Sequence, residues 1–132
     1  MISTLKNTES DSMNILLHTC CAPCAIYPVS QLRRQFTDNI TLFFFNPNIH
    51  PYLEYKRRLD CLISFCKNNN LQLIVEGGYW VKDFLRAVVF KEDERCSICS
   101  SLRMYKTNEW AKTHHFEAFS TTLLYSRYQN HF

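Results

Sequence analysis

The cysteines are the residues of this chain whose type and spacing could do chemistry. Five of the seven fall in two groups, Cys20-Cys21-Ala22-Pro23-Cys24 and Cys96-Ser97-Ile98-Cys99. A Cys-x-x-Cys spacing lets two sulfurs converge on one metal ion, and it also serves redox dithiols. Each group alone therefore fits a redox disulfide, half of a zinc site or half of an iron–sulfur site.

The setting of these cysteines favours a metal centre over disulfides. Residues 1–14 are polar and lack the apolar core of a secretory signal. No apolar run approaches the roughly 20 residues that cross a bilayer. We therefore expect a cytoplasmic chain with no membrane partner, in which thiols stay reduced. The adjacent Cys20 and Cys21 also argue against a simple dithiol, because neighbouring cysteines rarely form an unstrained disulfide.

The other two cysteines, Cys61 and Cys66, carry a different prediction. They lie in the stretch 52–68, whose apolar residues repeat at helical spacing. We expect both to pack in the core as small apolar side chains, as free cysteines often do. His18, at the end of a short apolar run, is likewise expected to be a buried neighbour of the site.

The elements that must position these residues follow from the hydrophobic pattern. It predicts strands and helices in alternation, with Pro28 in the first turn of the first helix. The strands are expected at 15–18, 40–45, 71–75 and 116–121, and the helices at 25–36, 52–68, 81–88 and 99–113. This alternation predicts an α/β fold with a parallel sheet covered on both faces. We expect one domain over 14–132, after a disordered leader at 1–13.

A parallel sheet places ligand sites at the carboxyl ends of its strands. Cys20, Cys21 and Cys24 follow the first strand and open the first helix. Cys96 and Cys99 lie at a second junction between a loop and a helix. Helix N-termini stabilise thiolates through the dipole and free N–H groups. Two such junctions at one sheet edge could supply four sulfurs, so these residues predict a metal centre.

Four segments of the chain, in this order, resemble the epoxyqueuosine reductases of the QueH type. They are 16–24, 45–51 with Glu54, Tyr55 and Arg58, 95–99 with Leu102 and Arg103, and 121–131. The resemblance implies a Rossmann-like, HUP-like parallel sheet flanked by helices. It also implies the reduction of epoxyqueuosine to queuosine at the wobble position of certain tRNAs, the last step of that modification.

The same resemblance implies the cofactors. It points to a [4Fe–4S] cluster held by four cysteines, which are Cys20, Cys21, Cys96 and Cys99. It also suggests an additional iron ion close by, with Cys24 as a candidate ligand. The two electrons would come from a donor that the residues do not identify.

The chain departs from the family pattern at its carboxyl end. Family members continue for some tens of residues and carry a further cysteine pair in a Cys-Gly-Cys-like motif, which is read as a redox dithiol. Here the last residue is Phe132, and that pair is absent from the sequence. We therefore expect a fold whose C-terminal part is missing, in a truncated or incomplete product, and an inactive fragment is one reading of it. No catalytic residue is assigned.

Contact with the substrate is a further expectation. An anticodon loop offers unstacked bases and phosphates, which aromatic and arginine side chains recognise. The substrate-binding candidates follow the predicted strands, and they are Asn46, His50, Tyr125, Arg127, Tyr128 and Gln129. Residues 56–58 and Arg103 could contact phosphates, although a basic stretch on a helix is more often its solvated face.

Two other function classes fit the cysteines. A thiol–disulfide oxidoreductase would use Cys96 and Cys99, with a thiol of low pKa and a reversible disulfide. A zinc-stabilised RNA-binding module without catalysis would hold one zinc ion and leave tRNA unchanged. The cluster enzyme instead predicts a brown protein that contains iron and sulfide.

Overall fold

Strands and helices alternate along the chain, as the hydrophobic pattern predicts. The computed structural model describes residues 3–4, 14–36, 39–76 and 81–125. The strands are β1 Ser3–Thr4, β2 Ile15–His18, β3 Ile40–Phe44, β4 Gln72–Val75 and β5 Ala118–Thr121. The helices are α1 Ala22–Gln35, α2 Tyr52–Asn68, α3 Val81–Val88 and α4 Arg95–Thr113, with short 3-10 turns at Glu92–Glu94 and Thr122–Tyr125.

The sheet has the strand order β1–β5–β2–β3–β4. Strands β5, β2, β3 and β4 run parallel to one another, whereas the two-residue β1 is antiparallel to β5. The predicted Rossmann-like α/β fold is therefore confirmed. Strand β1 lies inside 1–13, the segment expected to be a leader, and the boundaries of leader and domain stay a prediction.

One face of the sheet packs against α1 and α2. Ile15 and Leu17 of β2 point to this face, because successive strand residues alternate between the two faces. On the sheet side, this apolar cluster also contains Ile40, Leu42 and Phe44 of β3. On the helix side, it contains Val29 and Leu32 of α1 together with Tyr55 and Leu62 of α2. Burying one such aliphatic side chain contributes about 1.5–3 kcal/mol. This apolar cluster fixes β2 and α1, the two elements that flank the first cysteine group.

The other face packs against α4. Leu16 of β2 and Phe43 of β3 point to this face and meet Ala111 of α4. The rings of Phe43 and Trp110 lie 5.5 Å apart between centroids. Strand β2 therefore lies in the middle of the sheet between two helical layers, and the residues that follow it emerge at the carboxyl edge.

Two helices begin earlier than predicted. Helix α1 starts at Ala22, three residues before the expected start, and takes Pro23 into its first turn. Pro28 therefore lies inside α1, not in its first turn, and lacks the N–H that would bond the carbonyl of Cys24. Pro28 is buried on the inner side of the helix with Val29 and Leu32.

Helix α4 starts at Arg95, four residues before the expected start. The acidic run Glu92–Glu94, predicted as a loop, forms a 3-10 turn that leads into it. Negative charges before a helix complement its dipole, which favours this early start. Cys96 and Cys99 are therefore the second and fifth residues of the helix, directly after this turn. Within the described ranges, no helix is both long and apolar enough to cross a membrane.

Candidate metal centre

Three thiols converge where β2 ends and α1 begins. The sulfurs of Cys20 and Cys21 lie 3.8 Å apart, and those of Cys21 and Cys24 lie 3.0 Å apart. All three sulfurs are within 4.8 Å of one another. Cys21 is the N-cap residue of α1, so the free N–H groups of the first helical turn lie beside these thiols. We call Cys20, Cys21 and Cys24 the three-thiol group.

The thiols of this group perturb one another. The hydrogen bond with Cys21 and then burial raise the pKa of the Cys20 thiol well above its usual range. The same hydrogen bond lowers the pKa of Cys21. Burial raises the pKa of Cys24. Because metal ions bind thiolates, a metal entering this group must displace protons, and Cys21 is the thiol that ionises most readily.

A buried histidine, His18, ends the strand that leads into the three-thiol group. His18 is fully buried, as expected, with Nε2 3.0 Å from the Phe45 carbonyl and Nδ1 3.0 Å from Thr121 Oγ1. A carbonyl only accepts, so Nε2 carries the proton and Nδ1 accepts from the Thr121 hydroxyl. Burial, followed by the charge of Arg103, lowers the pKa of His18 to about 3. This neutral ring ties β2 to the ends of β3 and β5.

The loops after β3 and β5 hold the turn that carries Cys20. The Asn46 side chain, 2% exposed, donates from Nδ2 to the carbonyl of Thr19 at 3.0 Å. The hydroxyl of Thr122 lies 3.6 Å from the sulfur of Cys20. Because the three strands are parallel, their carboxyl ends meet at one edge and can share these contacts.

The second cysteine group has a different environment. Cys96 is exposed on the first turn of α4, and Cys99 is buried against Phe84 and Val88 of α3. Among the described residues, the sulfurs that gather within 4.8 Å are those of the three-thiol group, and these two are not among them. Burial raises the pKa of Cys99, and the charge of Arg103 opposes that rise.

Arg103 connects the two cysteine groups. One turn beyond Cys99, its Nε donates to the Cys99 carbonyl at 3.4 Å. Its Nη1 donates to Oδ1 of Asn46 at 3.5 Å, and Asn46 in turn holds Thr19, the residue before Cys20. The side chain of Arg103 was expected to reach phosphates from its place in the sequence. The structure instead buries it, with 5% of the residue exposed.

The two remaining cysteines differ from each other. Cys66 is buried in the core as predicted, and burial raises the pKa of its thiol to about 11. The prediction for Cys61 is wrong, because this residue is exposed. Its neighbour Leu62 takes the inward position on α2, and one residue along a helix turns the side chain by about 100°.

Cys61 lines a cavity of about 300 Å³ beside the three-thiol group. The other lining residues are Cys21, Ala22, Pro23, Glu54, Arg57 and Arg58. Glu54 accepts from Nε of Arg58 at 2.8 Å and also pairs with Arg57. The basic stretch 56–58 is therefore partly neutralised on its own helix, and Arg57 and Arg58 from it line the cavity. Sequence periodicity gave no sign of this cavity, because it forms between two helices.

The substrate-binding candidates fall in different places. His50 is exposed after β3, close in sequence to the buried Asn46. Tyr125 ends the 3-10 turn after β5. Arg127, Tyr128 and Gln129 lie outside the described residues. The structure therefore places Asn46 at the carboxyl edge and leaves the substrate role of the whole set as a prediction.

Comparison with known proteins gives the family. The family model described as Epoxyqueuosine reductase QueH matches residues 15–132. The chain belongs to this family. It is 33% identical over 117 residues to the Epoxyqueuosine reductase QueH of Dehalococcoides mccartyi, which covers 89% of this chain and 64% of that protein.

Two further relatives with the same name show the same partial coverage. The protein of Streptococcus pyogenes serotype M1 is 36% identical over 132 aligned residues, which covers 92% of this chain and 51% of that protein. The protein of Helicobacter pylori is 36% identical over 118 residues, which covers 85% of this chain and 32% of that protein. The QueH-family chain thus spans from about a third to under two thirds of the length of these curated relatives.

Proposed function

We propose that this QueH-family chain takes part in the reduction of epoxyqueuosine to queuosine in tRNA, as an iron–sulfur epoxyqueuosine reductase. The observation that carries the proposal is the three-thiol group at the carboxyl edge of the sheet. It occurs in a chain whose relatives are named epoxyqueuosine reductases. The thiol–disulfide oxidoreductase and the zinc module find no support in that family.

We propose four cysteines as ligands of a [4Fe–4S] cluster, which are Cys20, Cys21, Cys96 and Cys99. Such a cluster takes four thiolates, so the donor chemistry of these residues fits the group: Cys20 and Cys21 belong to the three-thiol group, and Cys96 and Cys99 would supply the other two sulfurs from α4. Cys24 completes the three-thiol group and is the proposed ligand of an additional iron ion. The link from Arg103 through Asn46 supports a shared site for both cysteine groups.

The proposed reaction removes the epoxide oxygen as water and leaves a carbon–carbon double bond. This change consumes two electrons and two protons. An iron–sulfur centre supplies the electron transfer that side chains cannot supply, and an external donor supplies the electrons to it. The chain itself contributes the thiolates, the helix N-terminus that stabilises them and the buried wall formed by His18 and Asn46.

We propose that the modified base enters through the cavity beside Cys21. Its volume of about 300 Å³ lies at the lower end of small-ligand sites. Arg57 and Arg58 at its rim carry the positive charge that a tRNA phosphate requires. His50, Tyr125, Arg127, Tyr128 and Gln129 are the proposed contacts to the anticodon loop, whereas Asn46 would act indirectly through Thr19. Because tRNA is the partner, we propose a cytoplasmic location.

The test is anaerobic reconstitution of the chain with iron and sulfide, followed by an assay. We expect about four irons and four sulfides per chain from the cluster, or about five irons with the additional ion. Incubation with a chemical reductant and tRNA carrying epoxyqueuosine should then yield queuosine, measured by mass spectrometry of the digested nucleosides. A Cys20→Ala chain is the negative control. Failure to retain iron and sulfide would contradict the proposal, as would a loaded chain that leaves the tRNA unchanged.

A further inference from the structure

Arg103 is a buried cation, and its hydrogen bonds to described residues all go to neutral groups. It lies on the inner side of α4 with 5% of its surface exposed. Its guanidinium donates to the carbonyl of Cys99 and to Oδ1 of Asn46. Within the described ranges, no carboxylate forms an ion pair with it. Arginine is almost never buried without a negative partner, because the lost hydration must be offset.

The surroundings of Arg103 identify the class of that partner. Its hydrogen bond to the Cys99 carbonyl connects it to the second cysteine group, and its hydrogen bond to Asn46 leads toward the first. Among the described residues at these contacts, the groups that can become negative are the cysteine thiols, which ionise when they bind metal. The Arg103–Asn46–Thr19 chain of hydrogen bonds also reaches the residue before Cys20. Charge and position therefore point to the same occupant, a thiolate-ligated metal centre.

We propose that Arg103 is the positioning residue and the counter-charge of the metal centre. It holds the Cys99 end of α4 toward the turn at Cys20, and it neutralises negative charge on the thiolate-bound iron. This inference rests on the proposed function, since it requires the cluster. Net charge and hydrogen bonds to sulfur set the reduction potential of iron–sulfur centres, so Arg103 should raise that potential.

Arg95 provides a matched control on the same helix. It neighbours Cys96 in sequence and carries the same charge, but it is exposed, with its guanidinium 5.8 Å from the centre of the Phe84 ring. Solvent screens an exposed charge strongly and a buried one weakly. Replacing either arginine by methionine removes the same charge and keeps a similar side-chain length. A difference between the two variants therefore reports burial and contact with the site.

The experiment compares full-length wild type, Arg103→Met, Arg103→Lys and Arg95→Met. In the metal-free chains, we expect Arg103→Met to melt at or above the wild-type temperature, because it removes a buried charge without an ionic partner. In the anaerobically loaded chains, we expect Arg103→Met to lose iron to a chelator about tenfold faster. Its midpoint potential should be lower by about 60 mV, a tenfold shift in the ratio of reduced to oxidised centre.

The conservative variant and the control refine the result. Arg103→Lys keeps the charge and loses the planar fork of the guanidinium. It should therefore keep a potential close to wild type and lose iron several-fold faster. Arg95→Met should stay within about twofold of the wild-type rate, because its charge is screened.

A purely structural role for Arg103 gives the opposite pattern. Arg103→Met would then melt at a lower temperature without metal and show the wild-type potential and rate of iron loss, which overturns the inference. If Arg103→Met does not fold, Arg103→Lys decides, and a wild-type rate of iron loss in that variant overturns the inference. A wild-type chain that retains no iron and sulfide overturns both this inference and the proposed function. A loaded wild type with unaffected Arg103 variants overturns this inference alone.

Discussion

The two cysteine groups share a Cys-x-x-Cys spacing and differ in how the fold holds them. In the first, Cys21 and Cys24 straddle the start of α1 directly after a central strand, and their sulfurs lie 3.0 Å apart. In the second, Cys96 is exposed and Cys99 is buried against α3. Equal spacing along the chain therefore does not produce an equal site. The difference lies in what precedes the cysteines, a strand of the sheet or a 3-10 turn at the surface.

The position of the first cysteine group is fixed by the central strand β2, which precedes it. Strand β2 is paired on both sides, and His18 fixes its end to β3 and β5. The second group lies on α4, which packs on the other face of the sheet, and the contact of Arg103 with Asn46 links it to the turn at Cys20. We infer that the first group is preorganised, whereas the second is brought to it by side-chain contacts.

The largest expected effect tests the first group directly. Cys20→Ala should abolish retention of the cluster, because it removes one sulfur of a group whose members lie within 4.8 Å. Iron and sulfide per chain after anaerobic reconstitution measure it. Cys61→Ala is the control, since Cys61 is an exposed cysteine near the same cavity. Full cluster occupancy in Cys20→Ala would show that the three-thiol group is not the site.

The next effect tests the anchoring of β2. His18→Ala should lower the free energy of unfolding of the metal-free chain by about 3 kcal/mol, because it leaves a cavity and two unsatisfied polar groups. Urea unfolding measures the change. His50→Ala alters an exposed histidine and should stay within about 0.5 kcal/mol of wild type. Equal stabilities of the two variants would mean that the His18 contacts do not hold the strand ends together.

A smaller effect separates the two members of the second group. Cys99→Ala should destabilise the metal-free chain by about 1 kcal/mol, similar to removing one buried methylene group. Cys96→Ala should stay within about 0.5 kcal/mol, because Cys96 is exposed. If both cysteines are ligands, the two variants should nevertheless lose the cluster equally. A chain that keeps its cluster without Cys96 but not without Cys99 would assign the ligand role to Cys99 alone.

The smallest effect concerns the hydroxyl beside Cys20. Thr122→Val keeps the shape of a buried side chain and removes the hydroxyl that lies 3.6 Å from the Cys20 sulfur. Because sulfur is a weak hydrogen-bond partner, we expect a loss of only about 0.5 kcal/mol in the free energy of unfolding. Thr122→Ser keeps the hydroxyl and serves as the control for that contact. An effect as large as that of His18→Ala would place the main support of the first group on the turn after β5 instead of on β2.

The hydrophobic pattern of the sequence predicted the strands and helices well, but it predicted their first residues less well. The alternation of strands and helices was predictable from apolar runs such as 15–18, and α2 was predicted with its observed bounds Tyr52–Asn68. The starts of α1 and α4 were missed because Cys21 is an unusual N-cap residue and because the acidic turn before Arg95 resembles a loop. The exposure of Cys61 was missed because the apolar repeat of α2 does not show which residues at the border of its apolar face point outward.

The sequence alone determined the class of fold, the residues with sulfur chemistry and, through four ordered motifs, the resemblance to the QueH family. These features are local, because propensity, spacing and motif depend on neighbours along the chain. Only the tertiary structure decided that Cys99 is buried and that Arg103 links it, through Asn46, to the turn before Cys20. The contacts of Cys99 with α3 and of Arg103 with Asn46 join segments that are separate in the chain. Packing and hydrogen bonds across the sheet edge create them, and no spacing within one segment encodes them.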